Sequence, residues 1–252
     1  RTQHSIIDTV TPVLHTPHGA IVYACDFKFD RTPVIGLPPD FARFRQIGKE
    51  GVLALIVEST YIHRPGRCPS ERIARDLVRD VITSFEDDKN AIIVSTFSSH
   101  ISRVKTIAEC AHEIGRKPVF LGRSMQKYSV TAEQMKFVSF PKTSSVFGER
   151  RTIDRVMRRM MKEGKDKFVP IVTGHQGEPG SILTRLAHGD TPYQLAKGDK
   201  VLFSANVIPN PMNVGARYVV TQHLKRAGAR VFEDLHVSGH AYREDHYEFL
   251  QM

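Results

Sequence analysis

Residues 91–121 read AIIVSTFSSHISRVKTIAECAHEIGRKPVFL, and the way the periodicity changes along them decides the fold. Ala91-Ile92-Ile93-Val94 is an unbroken apolar run of strand length, the pattern of a strand buried on both faces. From about Ser99 to Ile114 the chain takes a helical period, and Gly115 is suited to ending it. Pro118-Val119-Phe120-Leu121 is again an apolar run. Strand, helix, strand in this order is a β-α-β unit, which calls for a parallel sheet covered by helices.

The same alternation extends in both directions. Strands are predicted at Ile21-Val22-Tyr23-Ala24-Cys25, at Val52-Leu53-Ala54-Leu55-Ile56-Val57, at Phe168 to Val172, at Val201 to Ser204 and at Arg230-Val231-Phe232. Ser70-Glu71-Arg72 opens a helix: serine caps it, an acid favours its first turn, and apolar residues recur at Ile73, Leu77, Val78 and Val81. Further helices are predicted near 150–163 and 213–227, and the residues up to Met252 also read as helical. The fold class is α/β, with a mainly parallel sheet. Such sheets bind ligands beyond the carboxyl ends of their strands, and four polar loops fall there. They are Ser95-Thr96-Phe97-Ser98-Ser99-His100, Gly122-Arg123-Ser124-Met125, Thr173-Gly174-His175-Gln176-Gly177-Glu178-Pro179-Gly180 and Ser204-Ala205-Asn206. Small residues and hydroxyls on one edge suit a phosphate or sugar surface; any single loop is better explained as turn chemistry, and it is four of them on one edge that point to a site.

Composition narrows the partners. The 252 residues are 40% hydrophobic and 25% charged, those of a globular chain. No apolar run approaches the roughly 18 residues of a membrane span, and no signal peptide opens the chain. A net charge of +9 attracts polyanions. Arg150, Arg151, Arg155, Arg158, Arg159 and Lys162 fall on one predicted helix, either as a polyanion-attracting face or as an ordinary exposed one. Cys25, Cys68 and Cys110 are odd in number and widely spaced, which argues against a disulfide framework and fits a reducing cytoplasm.

Among twelve histidines, the informative ones lie near strand ends with an acid at hand. His4 precedes an apolar stretch, Asp26 and Glu58 end two predicted strands, and His240 follows the last one. Imidazole nitrogens and carboxylate oxygens there are suitable donors for zinc or manganese, although spacing alone is too loose to define a site.

In order, the segments His4-Ser5-Ile6-Ile7-Asp8, Cys25-Asp26-Phe27-Lys28-Phe29-Asp30, Glu58-Ser59-Thr60 and His236-Val237-Ser238-Gly239-His240-Ala241 resemble those of the β-CASP nucleases of the metallo-β-lactamase superfamily. The Thr-Phe-Ser-Ser, Gly-Arg-Ser-Met and Thr-Gly-His-Gln-Gly-Glu-Pro loops resemble its ribonuclease J branch, of archaeal type. The resemblance implies a partial metallo-β-lactamase αββα domain over 1–69 and 236–252, with a β-CASP domain over 70–235 inserted and both motifs at the junction. It implies a two-zinc ribonuclease, with manganese as the alternative metal. His4 and Asp26 would be metal ligands, and Glu58 and His240 the catalytic pair. Ser238 and Gly239 would contact a 5′-terminal phosphate, with Ser98, Ser99 and Arg123 contacting a single RNA strand. The expected action is 5′-to-3′ exonucleolytic on 5′-monophosphate ends, with internal cleavage alongside; homodimerisation is a further expectation. The family's His-x-His-x-Asp-His segment would precede Arg1 and its last histidine would follow Met252. The implied activity is therefore that of a longer polypeptide. The rivals are an endonuclease of the 3′-end-processing type and a metal-free RNA-binding module.

Overall fold

Apolar runs and helical stripes become nine strands and eight α-helices in the computed structural model, which describes residues 1–252. In chain order the first are β1 (Val13–Thr16), β2 (Gly19–Ala24), α1 (Phe41–Glu50), β3 (Val52–Val57) and α2 (Glu71–Thr83). Then come β4 (Ile92–Ser95), α3 (Ile101–Glu113), β5 (Lys117–Leu121), α4 (Arg123–Gln134), β6 (Ser145–Phe147) and α5 (Arg150–Glu163). The last are β7 (Phe168–Val172), α6 (Ile182–Ala187), β8 (Lys200–Phe203), α7 (Pro211–Arg226), β9 (Arg230–Phe232) and α8 (Arg243–Leu250). They form two compact units, one of Arg1–Ile73 with Val237–Met252 and one of Ala74–His236.

The larger unit is built on a six-stranded sheet in the order β6-β5-β7-β4-β8-β9. Every pairing is parallel, as the opening β-α-β reading requires. The connections β4 to β5 and β5 to β6 cross the sheet one way, and the later three cross it the other way. Right-handed crossovers then place α3 and α4 on one face and α5, α6 and α7 on the opposite one, in line with the α3–α4 and α6–α7 contacts. On the second face Ile153 and Met157 of α5, Leu183 and Leu186 of α6, and Val220 and Leu224 of α7 bury one continuous core with the strands. Neighbouring strands whose connections lead away from each other open a crevice at their carboxyl ends. This order creates two such places, between β5 and β7 and between β4 and β8.

The smaller unit carries a three-stranded sheet, β1-β2-β3, with β1 antiparallel and β3 parallel to β2. An aromatic cluster fills its core: Phe27 and Phe29 lie 5.0 Å apart between ring centres, and Phe44 and Phe249 lie 5.1 Å apart. β3 departs from the expectation of a helix-covered strand. It is the sheet's edge, with Val52, Leu53 and Ile56 exposed, because a run of apolar residues specifies a strand but not what covers it. All three cysteines are free thiols. No helix is long and apolar enough to cross a membrane.

Candidate metal and phosphate site

The parallel register of β2 and β3 pairs Ala24 with Val57, so both strands end level and release Asp26 and Glu58 at the same edge. The segment after β2 is then clamped from two sides. Lys28 N–H donates to the Gln3 carbonyl at 2.7 Å, and Ala241 N–H donates to the Phe27 carbonyl at 2.8 Å. These two bonds bring the residues around His4 and the 238–241 loop to the end of β2. Buried Lys28 reinforces the clamp by donating from Nζ to the Ser238 carbonyl at 3.0 Å, and the Cys68 thiol donates to the same oxygen at 3.2 Å. Beneath the loop, buried Asp245 accepts from Cys68 N–H at 2.8 Å and from Tyr242 N–H at 3.0 Å through one oxygen.

Donor atoms of His4, Asp26 and His240 lie within 4.8 Å of one another. His4 Nδ1 donates to the Gly239 carbonyl at 2.8 Å, which fixes its tautomer and leaves Nε2 with a lone pair, 3.8 Å from an Asp26 oxygen. Burial lowers the His4 pKa, partly offset by that backbone bond. The ring is thus kept neutral, as ligation requires. Gly239 packs closely on that ring: a Cβ there would sit 3.2 Å from it, so the ring would have to give by a few tenths of an ångström. The His4 nitrogen and the Asp26 oxygen are donors of the kinds that zinc or manganese accepts.

His240 is held differently. Its Nδ1 meets a Glu58 oxygen at 3.2 Å, and the other Glu58 oxygen accepts from Thr60 N–H at 2.7 Å. Burial by itself would raise the Glu58 carboxyl, but the bonds from His240 and Thr60 overcome it and hold it at about 2. The Glu58 bond in turn raises His240 against its own burial. Ser238 Oγ accepts from His240 N–H at 2.9 Å, so the hydroxyl shapes the loop while its proton is left to donate elsewhere. The arrangement is an oriented acid–base pair beside a neutral histidine and a carboxylate. His236 stands four residues before His240 in a non-helical segment, and its Nδ1 meets Arg103 instead, at 3.3 Å.

His4, Asp26, Glu58, Ser238, Gly239 and His240 therefore gather within the smaller unit. Ser98, Ser99 and Arg123 belong to the larger one. Ser98 and Ser99 lie, half-buried, on the loop between β4 and α3, and exposed Arg123 begins α4. The loop after β7 works as a brace. Gln176 donates from Nε2 to the Asn206 carbonyl at 2.9 Å and accepts from Ile208 N–H at 2.8 Å. Gly177 sits against α7 so closely that a Cβ would fall 2.4 Å from Ala216. Sequence reading missed Lys28, Asp245 and Arg103. Fully buried Arg103 donates to the carbonyls of Ser204 at 3.0 Å and Leu235 at 3.1 Å. Its position was detectable, since it shares the helical stripe of Ile107, Cys110 and Ile114.

Residues 89–221 match the family model described as "Ribonuclease J, beta-CASP domain". The chain is 47% identical over 251 residues to the Ribonuclease J of Methanocaldococcus jannaschii, covering all of this chain and 56% of that protein. It is 42% identical over 249 residues to the Ribonuclease J of Pyrococcus abyssi, covering 99% of this chain and 54% of the relative. To the Ribonuclease J of Thermus thermophilus it is 37% identical over 255 residues, covering 97% of this chain and 41% of the relative. The chain spans about half the length of the curated relatives it matches first.

Proposed function

From the premise that this chain belongs to the ribonuclease J β-CASP family, we propose that it forms part of a metal-dependent ribonuclease acting 5′ to 3′ on single-stranded RNA. The observation that carries the reading is the meeting of His4, Asp26 and His240 donors within 4.8 Å, with Glu58 bonded to His240. Zinc ions, or manganese in their place, held in part by His4 and Asp26, would supply Lewis-acid polarisation of the phosphate and activation of water.

The chain's own residues do the rest. His4 presents Nε2 because Gly239 holds Nδ1. His240, oriented by Glu58, gives a hydrogen bond to the oxyanion that develops, or a proton to the leaving oxygen. The Ser238 hydroxyl and the Gly239 N–H bind the 5′-terminal phosphate, which favours 5′-monophosphate ends. Ser98 and Ser99 contact the strand's backbone, so recognition carries little base preference.

The test pairs metal analysis with RNA cleavage by the purified polypeptide at its full natural length, since this chain spans about half the length of its relatives. Asp26→Asn is expected to reduce bound zinc and turnover together. His240→Ala is expected to reduce turnover by about 10²-fold or more with zinc retained. Mononucleotides should be released from 5′-monophosphate RNA in preference to 5′-hydroxyl or 5′-triphosphate RNA. End-independent fragments would reject the exonuclease part. A metal-free protein that binds RNA without cutting it would reject the enzyme.

A further inference from the structure

Away from the proposed site, the larger unit has a cavity of about 610 Å³ at the carboxyl ends of β5, β6 and β7. That volume is in the range of about 300–1,000 Å³ typical of small-ligand pockets. It occupies the β5/β7 crevice, one of the two places where the strand order makes neighbouring connections diverge. Three arginines line it, Arg123 from α4, Arg150 from α5 and Arg185 from α6, with hydroxyls from Ser124, Thr173 and Ser181. Glu149 is the one carboxylate in the lining, and it accepts from the Thr152 hydroxyl at 3.2 Å. Asp154 lies beside the cavity, 3.4 Å from Arg185 Nη2.

Two further features favour an anion. α4 and α5, of 12 and 14 residues, both begin in this lining, and neither has a side-chain cap hydrogen bond. Their first-turn N–H groups and dipoles favour negative charge. Arg185 is only 9% exposed, and its Nε is buried with no hydrogen-bond partner, although a buried guanidinium N–H left unpaired is costly. Its Nη2 is held by Asp154 at 3.4 Å and by the Asp190 carbonyl at 3.1 Å.

We propose that the β5/β7 crevice is a binding pocket for the phosphate group of a small ligand of mononucleotide size, with Arg123, Arg150 and Arg185 as its cationic contacts. The tight turn at Gly122 lets the backbone start α4 at the cavity wall; its φ of 126° is one that other residues rarely adopt. The pocket lies within the β-CASP unit and does not depend on the ribonuclease reading.

Isothermal titration calorimetry of the purified protein tests it, with AMP, inorganic phosphate and adenosine as separate titrants. AMP should bind saturably, phosphate should compete with it, and adenosine should bind about tenfold more weakly or worse. Arg123 and Arg150 are exposed, so the double variant Arg123→Ala/Arg150→Ala should fold normally, with an unchanged melting midpoint. It should lose about tenfold or more in AMP affinity, and Arg185→Lys should weaken AMP while keeping the charge. Since a mononucleotide is also a product of the proposed reaction, His240→Ala serves as the control and should leave this binding intact. The pocket is overturned if neither AMP nor phosphate binds, if adenosine binds equally well, or if the double variant binds as the parent does. AMP binding that disappears with His240→Ala overturns it too, without touching the ribonuclease proposal.

Discussion

Strand β3, Val-Leu-Ala-Leu-Ile-Val, and strand β4, Ile-Ile-Val-Ser, are near-equivalent as sequence, yet Ile93 of β4 is fully buried while Leu53 of β3 is 58% exposed. β4 lies inside a six-stranded parallel sheet with helices on both faces, and β3 is the edge of a three-stranded one. An apolar run encodes an extended backbone; its burial is decided by what packs on it, and these 252 residues span about half the length of the relatives. The two units accordingly divide the work. One has a thick aliphatic core, and the other holds titratable groups on a short sheet through hydrogen bonds.

Truncating the two strands gives the largest contrast. Ile93→Ala should cost about 2–5 kcal/mol, as buried aliphatic truncations do, and Leu53→Ala less than about 1 kcal/mol. Urea denaturation followed by hydrogen exchange in each unit measures both. Equal costs would break the comparison, because they would show β3 covered in solution.

Acid should separate the units next. His175 is buried in the larger unit, and burial, with Arg217 nearby, lowers it from 6.5 to about 4. Its folded pKa is depressed, so as pH falls from 6.5 to about 4 the unfolded chain takes up a proton that the folded chain refuses. Stability of that unit should drop by on the order of 3 kcal/mol over the window. Glu58 in the smaller unit, held at about 2 against an ordinary 4.5, gives up its contribution only at lower pH, from about 4.5 downward. The raised pKa of His240 gives that residue a contribution present below about 6.5 and lost as pH rises through its folded value. Burial also lowers His4 and His246 in the smaller unit, which opposes the gain from His240. Hydrogen exchange at pH 7 and pH 5 should therefore show protection falling further in the larger unit, and His175→Phe should flatten the dependence there.

The smallest effect sharpens the contrast from the other side. Gly239→Ala places a methyl 3.2 Å from the His4 ring, so zinc affinity should fall by about three- to tenfold. Global stability should move by less than about 1 kcal/mol. A loss of stability with zinc affinity unchanged would mean that Gly239 serves the fold and not the site.

Much of this was legible in the chain. The runs over 52–57, 91–94, 118–121, 168–172, 201–204 and 230–232 each became a strand within a residue or two, because a short unbroken apolar run encodes an extended backbone whether or not its faces are covered. α4 went unread because its buried side is Met125, Ser129 and Ala132, a stripe in which small residues do the packing and hydropathy hardly changes. β1, β6 and α6 are too short to show a period. In the site, Asp26, Glu58 and His240 were visible as polar residues at strand ends. Lys28 and Asp245 were hidden, since a charge that serves a buried backbone carbonyl or amide looks like any surface charge. Arg123, Arg150 and Arg185 come from three separate helices, and only the strand order makes them neighbours.

The register that pairs Ala24 with Val57 makes the site digital where most of the surface is analogue. The connection from β2 to β3 can lengthen or shorten gradually, and the acids at the two strand ends will still arrive together. Removing a single residue from within β3 has no such intermediate setting. It turns every following side chain to the opposite face, and Glu58 with them, away from His240. The spacing between acid and imidazole is thus inherited in whole steps, and drift in the loops cannot tune it.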